Sequence, residues 1–301
     1  MVRTYKFEYI ITLISLSLLV SIAWYYLYLM ASHPSMDGMM KSENSMSMSM
    51  DSIEMDSEQT NSMSMELTEM NIGNKSINFL MMPMTGEWNF NDFIVMNTMW
   101  IVMMFAMMMP STYIFLNLFR LMRSKMQTAK YPTLELSLIS LTYFIIWITF
   151  SISACTAQYY LHNNGLVDMM GTLKSNTVSS ITLLVAGIYQ FTNLKQACLE
   201  KCRNPLSFIM GRNINGTKDI ISIGLSHGLY CLGCCWSLMA LLFVNGVMNL
   251  TWVVILTIII LIEKLLPFEQ LSSRFFGVLL VIWGLYLCLL YTSDAADDLF
   301  R

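Results

Sequence analysis

Seven long apolar runs constrain this chain more than any motif it carries: residues 8–30, 92–119, 133–160, 178–197, 219–244, 247–263 and 271–290. At 1.5 Å of rise per residue, each is long enough as a helix to cross a hydrocarbon core about 30 Å thick. Inside a bilayer an unpaired backbone amide finds no water, so the runs are expected to fold as helices that satisfy their own hydrogen bonds. Length alone would permit two soluble domains, but 55% hydrophobic and 12% charged residues argue against them. The predicted fold class is therefore all-α, a polytopic transmembrane helical bundle of about seven spans. Pro110 is expected to kink the second.

The basic residues give an orientation. Arg3 and Lys6, Arg120, Arg123, Lys125 and Lys130, Lys195, Lys201, Arg203, Arg212 and Lys218, and Lys264 and Arg274 fall on one side of the alternating spans, with only Lys41, Lys75 and Lys174 opposite. By the positive-inside rule the N-terminus is cytoplasmic, and residues 31–91 are extracytoplasmic on a multi-pass protein of the cell (plasma) membrane. Residues 1–30 read as a signal-anchor. Cleavage near Ala31 and Ser32 is the alternative, but the apolar stretch is longer than a typical signal-peptide core. The basic residues sit at span ends as topology determinants and leave no nucleic-acid footprint, so the expected partners are the lipid bilayer and a ligand within it.

Residues 31–91 lack the periodicity of a packed core and are expected to be a disordered loop. The loop is rich in methionine. Met46, Met48 and Met50, and again Met63 and Met65, alternate with polar residues, a pattern that burial does not explain. Thioether sulfur prefers Cu(I) or Ag(I), so metal capture is one reading, with compositional drift and a sacrificial sink for oxidants as the others. The second span continues the theme with Met96, Met99, Met103 and Met107 at helical spacing and Met108 beside them; core packing accounts for such a stripe equally well.

The stretch HGLYCLGCCW, His227 to Trp236, places an imidazole and three thiols in an apolar run. On a helix, His227, Cys231, Cys234 and Cys235 fall within an arc of about 100°, forming one soft-ligand face. Gly224 and Gly228 share that side and would let a neighbouring helix approach closely. Such donors suit Cu(I), with Zn(II) the second choice, or an iron–sulfur centre; buried packing cysteines are the plain alternative. Cys198 and Cys202, four apart near the inner end of the fourth span, form a second candidate pair. With straight antiparallel spans they lie at the membrane surface, about 12 Å from His227, so two sites along one path are expected rather than one. Glu263 is expected to mark a span end with Lys264, or else to serve as a proton or metal partner. Cys155 is expected to be structural. No nucleophile elbow, phosphate loop or dinucleotide fingerprint is present, and no catalytic residue is assigned.

From Cys288 onward, CLLYTSDAADD resembles a translated sequencing adapter, so 288–301 is read as a non-native tail on a last span truncated near Leu287. The organisation expected is thus a signal-anchor at 1–30, the loop at 31–91, a metal-binding bundle at 92–287 and the tail.

MWIVMMFAMMMPS at 99–111, GIYQFTNLKQACLEKCRNPLSF at 187–208, HGLYCLGCCWSLMALLFVNGVMNL at 227–250 and IEK at 262–264 resemble, in that order, a family of predicted metal-binding integral membrane proteins, some labelled copper chaperones. That resemblance implies characteristic positions at Met107, Met108, Tyr189, Gln190, Lys195, Cys198, Cys202, His227, Cys231, Cys234, Cys235, Met239 and Glu263. Two departures are Asn193, where the family usually has proline, and the methionine-rich loop. The combined expectation is a membrane protein that binds a soft metal, Cu(I) first, for transport or for delivery to a membrane metalloenzyme or metallochaperone. A membrane thiol-disulfide oxidoreductase using Cys231, Cys234 and Cys235, and a structural or assembly subunit of a metalloenzyme complex, are the alternatives.

Overall fold

A computed structural model describes residues 15, 17–29, 88, 90–126, 132–168, 171–212, 214, 216–265 and 270–299. The described residues form an all-α fold without a β-strand; one isolated bridge, Val167 to Leu173, closes a connection. The helices are α1 (Ser17–Leu29), α2 (Phe90–Met126), α3 (Pro132–Asn163), α4 (Asn176–Tyr189), α5 (Asn193–Arg203), α6 (Pro205–Met210), α7 (Thr217–Ala240), α8 (Leu242–Asn245), α9 (Leu250–Leu265) and α10 (Leu271–Leu299). The methionine-rich loop, with Met46, Met48, Met50, Met63 and Met65, lies outside the described residues.

Among the described residues, four of the seven expected spans are long and apolar enough to cross a membrane: Phe90–Arg123, Thr133–Asn163, Thr217–Asn245 and Leu271–Leu289. The expected fourth span is corrected. Its apolar run breaks after Tyr189, where amides of Gln190, Phe191 and Thr192 close tight turns on preceding carbonyls, and Thr192 caps a new helix by accepting from the Lys195 amide at 3.3 Å. The run therefore becomes two helices, 14-residue α4 and 11-residue α5, the first about 21 Å long at 1.5 Å per residue. The sixth run likewise yields only the 16-residue α9. A side-chain N-cap begins that helix near Asn249, whose Oδ1 accepts from the Trp252 amide at 3.2 Å, shortly after Gly246 turns the chain with a φ of 90° that favours glycine. Hydropathy registers apolar length, whereas these boundaries are set by caps and turns within it.

Helix α2 runs through Pro110 without ending. Beside it, α3 packs on both α2 and α7, α5 packs on α7, and α10 packs on α4. The α3–α7 contact depends on small residues, as the sequence suggested: a Cβ at Gly224 would lie 2.0 Å from Thr142 Oγ1 and 2.8 Å from the Ile139 carbonyl oxygen. Since one of those neighbours is backbone, the helices cannot both keep their places around a larger residue. Gly224→Ala is expected to destabilise the bundle by about 1–3 kcal/mol, read as a lowered midpoint of thermal unfolding in detergent. An unchanged midpoint would mean that α3 and α7 are not so closely apposed.

Several polar residues treated above as span-end markers are buried. Arg123 and Glu135 join the ends of α2 and α3 through two hydrogen bonds of 2.8 and 2.6 Å. At the opposite end of the bundle, Trp100 Nε1 donates to Gln158 Oε1 at 2.7 Å.

Candidate metal site

The break after Tyr189 lets α5 fold against α7, and this creates the site. Helical spacing on α7 sets Cys231, Cys234 and Cys235 side by side, all buried. The Cys234 and Cys235 thiols donate to the Cys231 carbonyl at 3.1 and 2.9 Å. From α5, Cys202 packs against the core that holds these three thiols and lines one cavity with Cys231. Cys198, one turn earlier, lies over Gly233, so that a Cβ there would be 2.8 Å from its Sγ. Tyr189 fixes the same stretch by donating to the Gly233 carbonyl at 2.5 Å. The expectation of two sites separated along a path is therefore corrected: because α4 and α5 are not one straight helix, the Cys198 and Cys202 pair adjoins the three thiols of α7. Among the described residues, no three His, Cys, Asp or Glu side chains converge as a ready-made metal sphere.

Cys231 is the hub. Tyr143 Oη lies 3.1 Å from its Sγ, and Lys264 donates to the same sulfur from 3.0 Å. Lys264 Nζ also lies 3.6 Å from Met108 Sδ and 3.4 Å from Ser111 Oγ. One buried ammonium thus joins a thioether of α2 to the central thiol of α7. His227, one turn before Cys231, is stacked at 3.8 Å on Phe115 and at 5.5 Å on Tyr143, ring centre to ring centre. It borders a partly open cavity of about 180 Å³, with Cys202, Cys231, Arg203, Lys264 and Ser111 also on its wall.

Behind this cavity lies a second polar layer. Lys195 is fully buried and donates to Glu263 Oε2 at 2.7 Å and to Gln190 Oε1. Ser273 donates to Gln190 Oε1 at 3.0 Å, and Arg203 donates to the Glu263 carbonyl at 2.7 Å. Four elements, α5, α9, α10 and the turn after α4, are thereby tied together. Glu263 and Lys264 are not a solvated pair at a span end: Glu263 faces Lys195, whereas Lys264 faces Cys231.

Met103, Met107, Met108 and Met239 are all buried in the apolar core that includes Cys231, Cys234 and Cys235. Of these, Met108 is linked to the cluster through Lys264. Cys155 stands apart, its thiol directed at the Phe93 carbonyl at 3.8 Å, and Cys288 is exposed on α10. Sequence reasoning missed Tyr143 and Lys264 as neighbours of the thiols. A lone tyrosine in an apolar span and a lysine at its end carry no spacing signal; only the tertiary contact reveals them.

A family profile described as PpoB2, copper chaperone, matches residues 97–287. The chain belongs to this family. The matched segment extends from α2 into α10 and contains the thiol cluster, His227, Lys264 and Met108, while the methionine-rich loop falls before it. The family's description names copper, in keeping with a donor set of thiols, thioether and imidazole. No curated protein and no solved structure matches the chain.

Proposed function

We propose that this member of the copper-chaperone family is a membrane-embedded carrier of Cu(I), its substrate, and that Cys202, Cys231, Cys234 and Cys235 are the principal ligands with His227 beside them. The observation that carries the reading is that Cys202 of α5 and Cys231 of α7 line one cavity with His227, with Cys234 and Cys235 packed in the adjoining core. Cysteines that merely fill space would not require a helix break to bring them together. Thiolate donors favour Cu(I) over harder ions, and Zn(II) remains the second candidate. Met103, Met107, Met108 and Met239 supply thioethers through the adjoining core, and the loop at 31–91, placed outside the cell by the basic-residue pattern, would capture metal through Met46, Met48, Met50, Met63 and Met65. Seven spans with a cytoplasmic N-terminus complete the proposed topology, three of them shorter than a full crossing within the described residues. The outlet is a membrane metalloenzyme or metallochaperone.

The placing of Cys202 and Cys231 on one cavity wall also favours one rival, a thiol-disulfide oxidoreductase, because neighbouring thiols can be oxidised to a disulfide. Metal analysis separates the two. The chain purified in detergent under reducing conditions is expected to hold Cu(I) in a fixed ratio and to be reloaded after chelation. A protein that cannot be loaded, yet forms a reversible Cys202–Cys231 disulfide at a defined potential, would replace the carrier reading with the redox one.

A further inference from the structure

We propose that the Lys264 ammonium is a tethered stand-in for the metal: it occupies a cradle of Cys231 Sγ, Met108 Sδ and Ser111 Oγ that suits Cu(I), and copper enters by displacing it. The inference rests on the carrier reading above. It makes Met108 a ligand and not a bystander in the core, and it gives the empty site an occupant of its own.

An ammonium group has three hydrogens to donate and no acceptor. At Lys264 three acceptors stand within reach: Cys231 Sγ at 3.0 Å, Ser111 Oγ at 3.4 Å and Met108 Sδ at 3.6 Å. A buried lysine is ordinarily met by a carboxylate. Among the described residues none meets this one, because the carboxylate beside it in sequence, Glu263, is held at 2.7 Å by Lys195. Two of the three acceptors are instead sulfurs, which are weak hydrogen-bond acceptors but good ligands of a soft metal. The cradle therefore suits a soft cation better than the ammonium now in it. Its charge also fits a monovalent ion. Exchanging the ammonium for Cu(I) leaves one positive charge in the cradle, whereas Zn(II) would leave two in surroundings that screen poorly.

Both cations cannot be there together. A bond from a first-row metal to sulfur is about 2.3 Å long, so copper between Cys231 and Met108 falls where Nζ now stands. Lys264 can leave without disturbing the helices, since its side chain is on the wall of the cavity and its four-carbon stem is flexible. Tyr143 Oη, 3.1 Å from the same sulfur, keeps Cys231 in place meanwhile. The exchange breaks the contacts of Nζ with sulfur and forms copper bonds to Cys231 and Met108. Copper remains Cu(I), and the proton of the Cys231 thiol leaves to water through the cavity. When copper departs, the tethered ammonium returns and closes the cradle again.

The test uses the reduced full chain in detergent, metal-free and loaded with Cu(I). In the wild type, acetylation of Lys264 by a small amine-reactive ester, read by peptide mass spectrometry, should quicken at least about tenfold on loading, as expected when a charge-assisted hydrogen bond is given up. Lys218, which is exposed, should keep its rate. Lys264→Gln and Lys264→Leu should bind Cu(I) at least about tenfold more tightly, because copper has no occupant left to displace. Competition with a chromophoric Cu(I) chelator reads this, and adding Met108→Leu to either variant should cancel the gain. The labelling needs only the wild type, so it decides even if no variant folds. Labelling that does not quicken, folded variants that bind no more tightly than the wild type, or a gain that survives the loss of Met108 overturns the proposal and leaves the carrier reading intact. A wild type that cannot be loaded with copper overturns both.

Discussion

Cys231→Ser is expected to lower Cu(I) affinity by more than about 100-fold, the upper end of what even an indirect partner of a metal ligand contributes, and to abolish stoichiometric copper in the purified protein. The magnitude follows from position. The Cys231 sulfur meets Tyr143 and Lys264 and lines one cavity with Cys202 and His227, so its loss removes the centre of the cluster and not one rim ligand. Serine keeps the approximate volume, and the fold should persist. Cys155→Ser serves as the control, since its thiol faces the Phe93 carbonyl, away from the cluster. Affinity is measured by competition with a chromophoric Cu(I) chelator. A Cys231→Ser protein that retains wild-type affinity and stoichiometry would remove the cluster from the metal site and return these thiols to packing.

The second large effect concerns stability. Lys195 and Glu263 form an ion pair whose side chains are 0% and 2% exposed. Removing one partner strands the other's charge in the interior, and Lys195→Met is expected to cost about 3–5 kcal/mol. The double variant Lys195→Met with Glu263→Leu should recover most of that loss, because a well-packed apolar pair avoids the desolvation that the ions must overcome. Thermal unfolding of the metal-free protein in detergent reads both. If the single change costs under about 1 kcal/mol, in the range of solvated surface pairs, the pair is reached by water and the polar layer is looser than its geometry implies.

The helical class and the soft-ligand face of α7 were legible because each leaves a periodic trace: apolar length for the helices, and the spacing of Cys231, Cys234 and Cys235 for the face. Gly224 and Gly228 likewise indicated a close neighbour, which is α3. What could not be read was where the apolar run at 178–197 would stop being one helix. A tight turn at Gln190 to Thr192 decides this, and with it whether Cys202 lies at a distant surface or against Cys231. Charged residues misled for a related reason. Lysine and arginine counts assume solvated loops, whereas Lys195 and Lys264 were drawn inside by Glu263 and by Cys231. Composition gives the sign of a charge; only the packed neighbours determine whether that charge meets water.

The order in which the site's parts emerge along the chain has a bearing on biogenesis. Met108 belongs to α2, Cys202 to α5, Cys231 to α7 and Lys264 to α9, so the parts span 156 residues of sequence. During synthesis the thiols of α7 leave the ribosome before α9 can close over them. A nascent chain therefore offers unguarded sulfur for the interval in which residues 236–264 are made. Any copper bound then would meet the thiols without the ammonium that later sits against Cys231. On the carrier reading, the finished protein would meet copper with that ammonium in place and the unfinished one without it, so a cell that limits free copper would protect the assembly of this protein as well as its other contents.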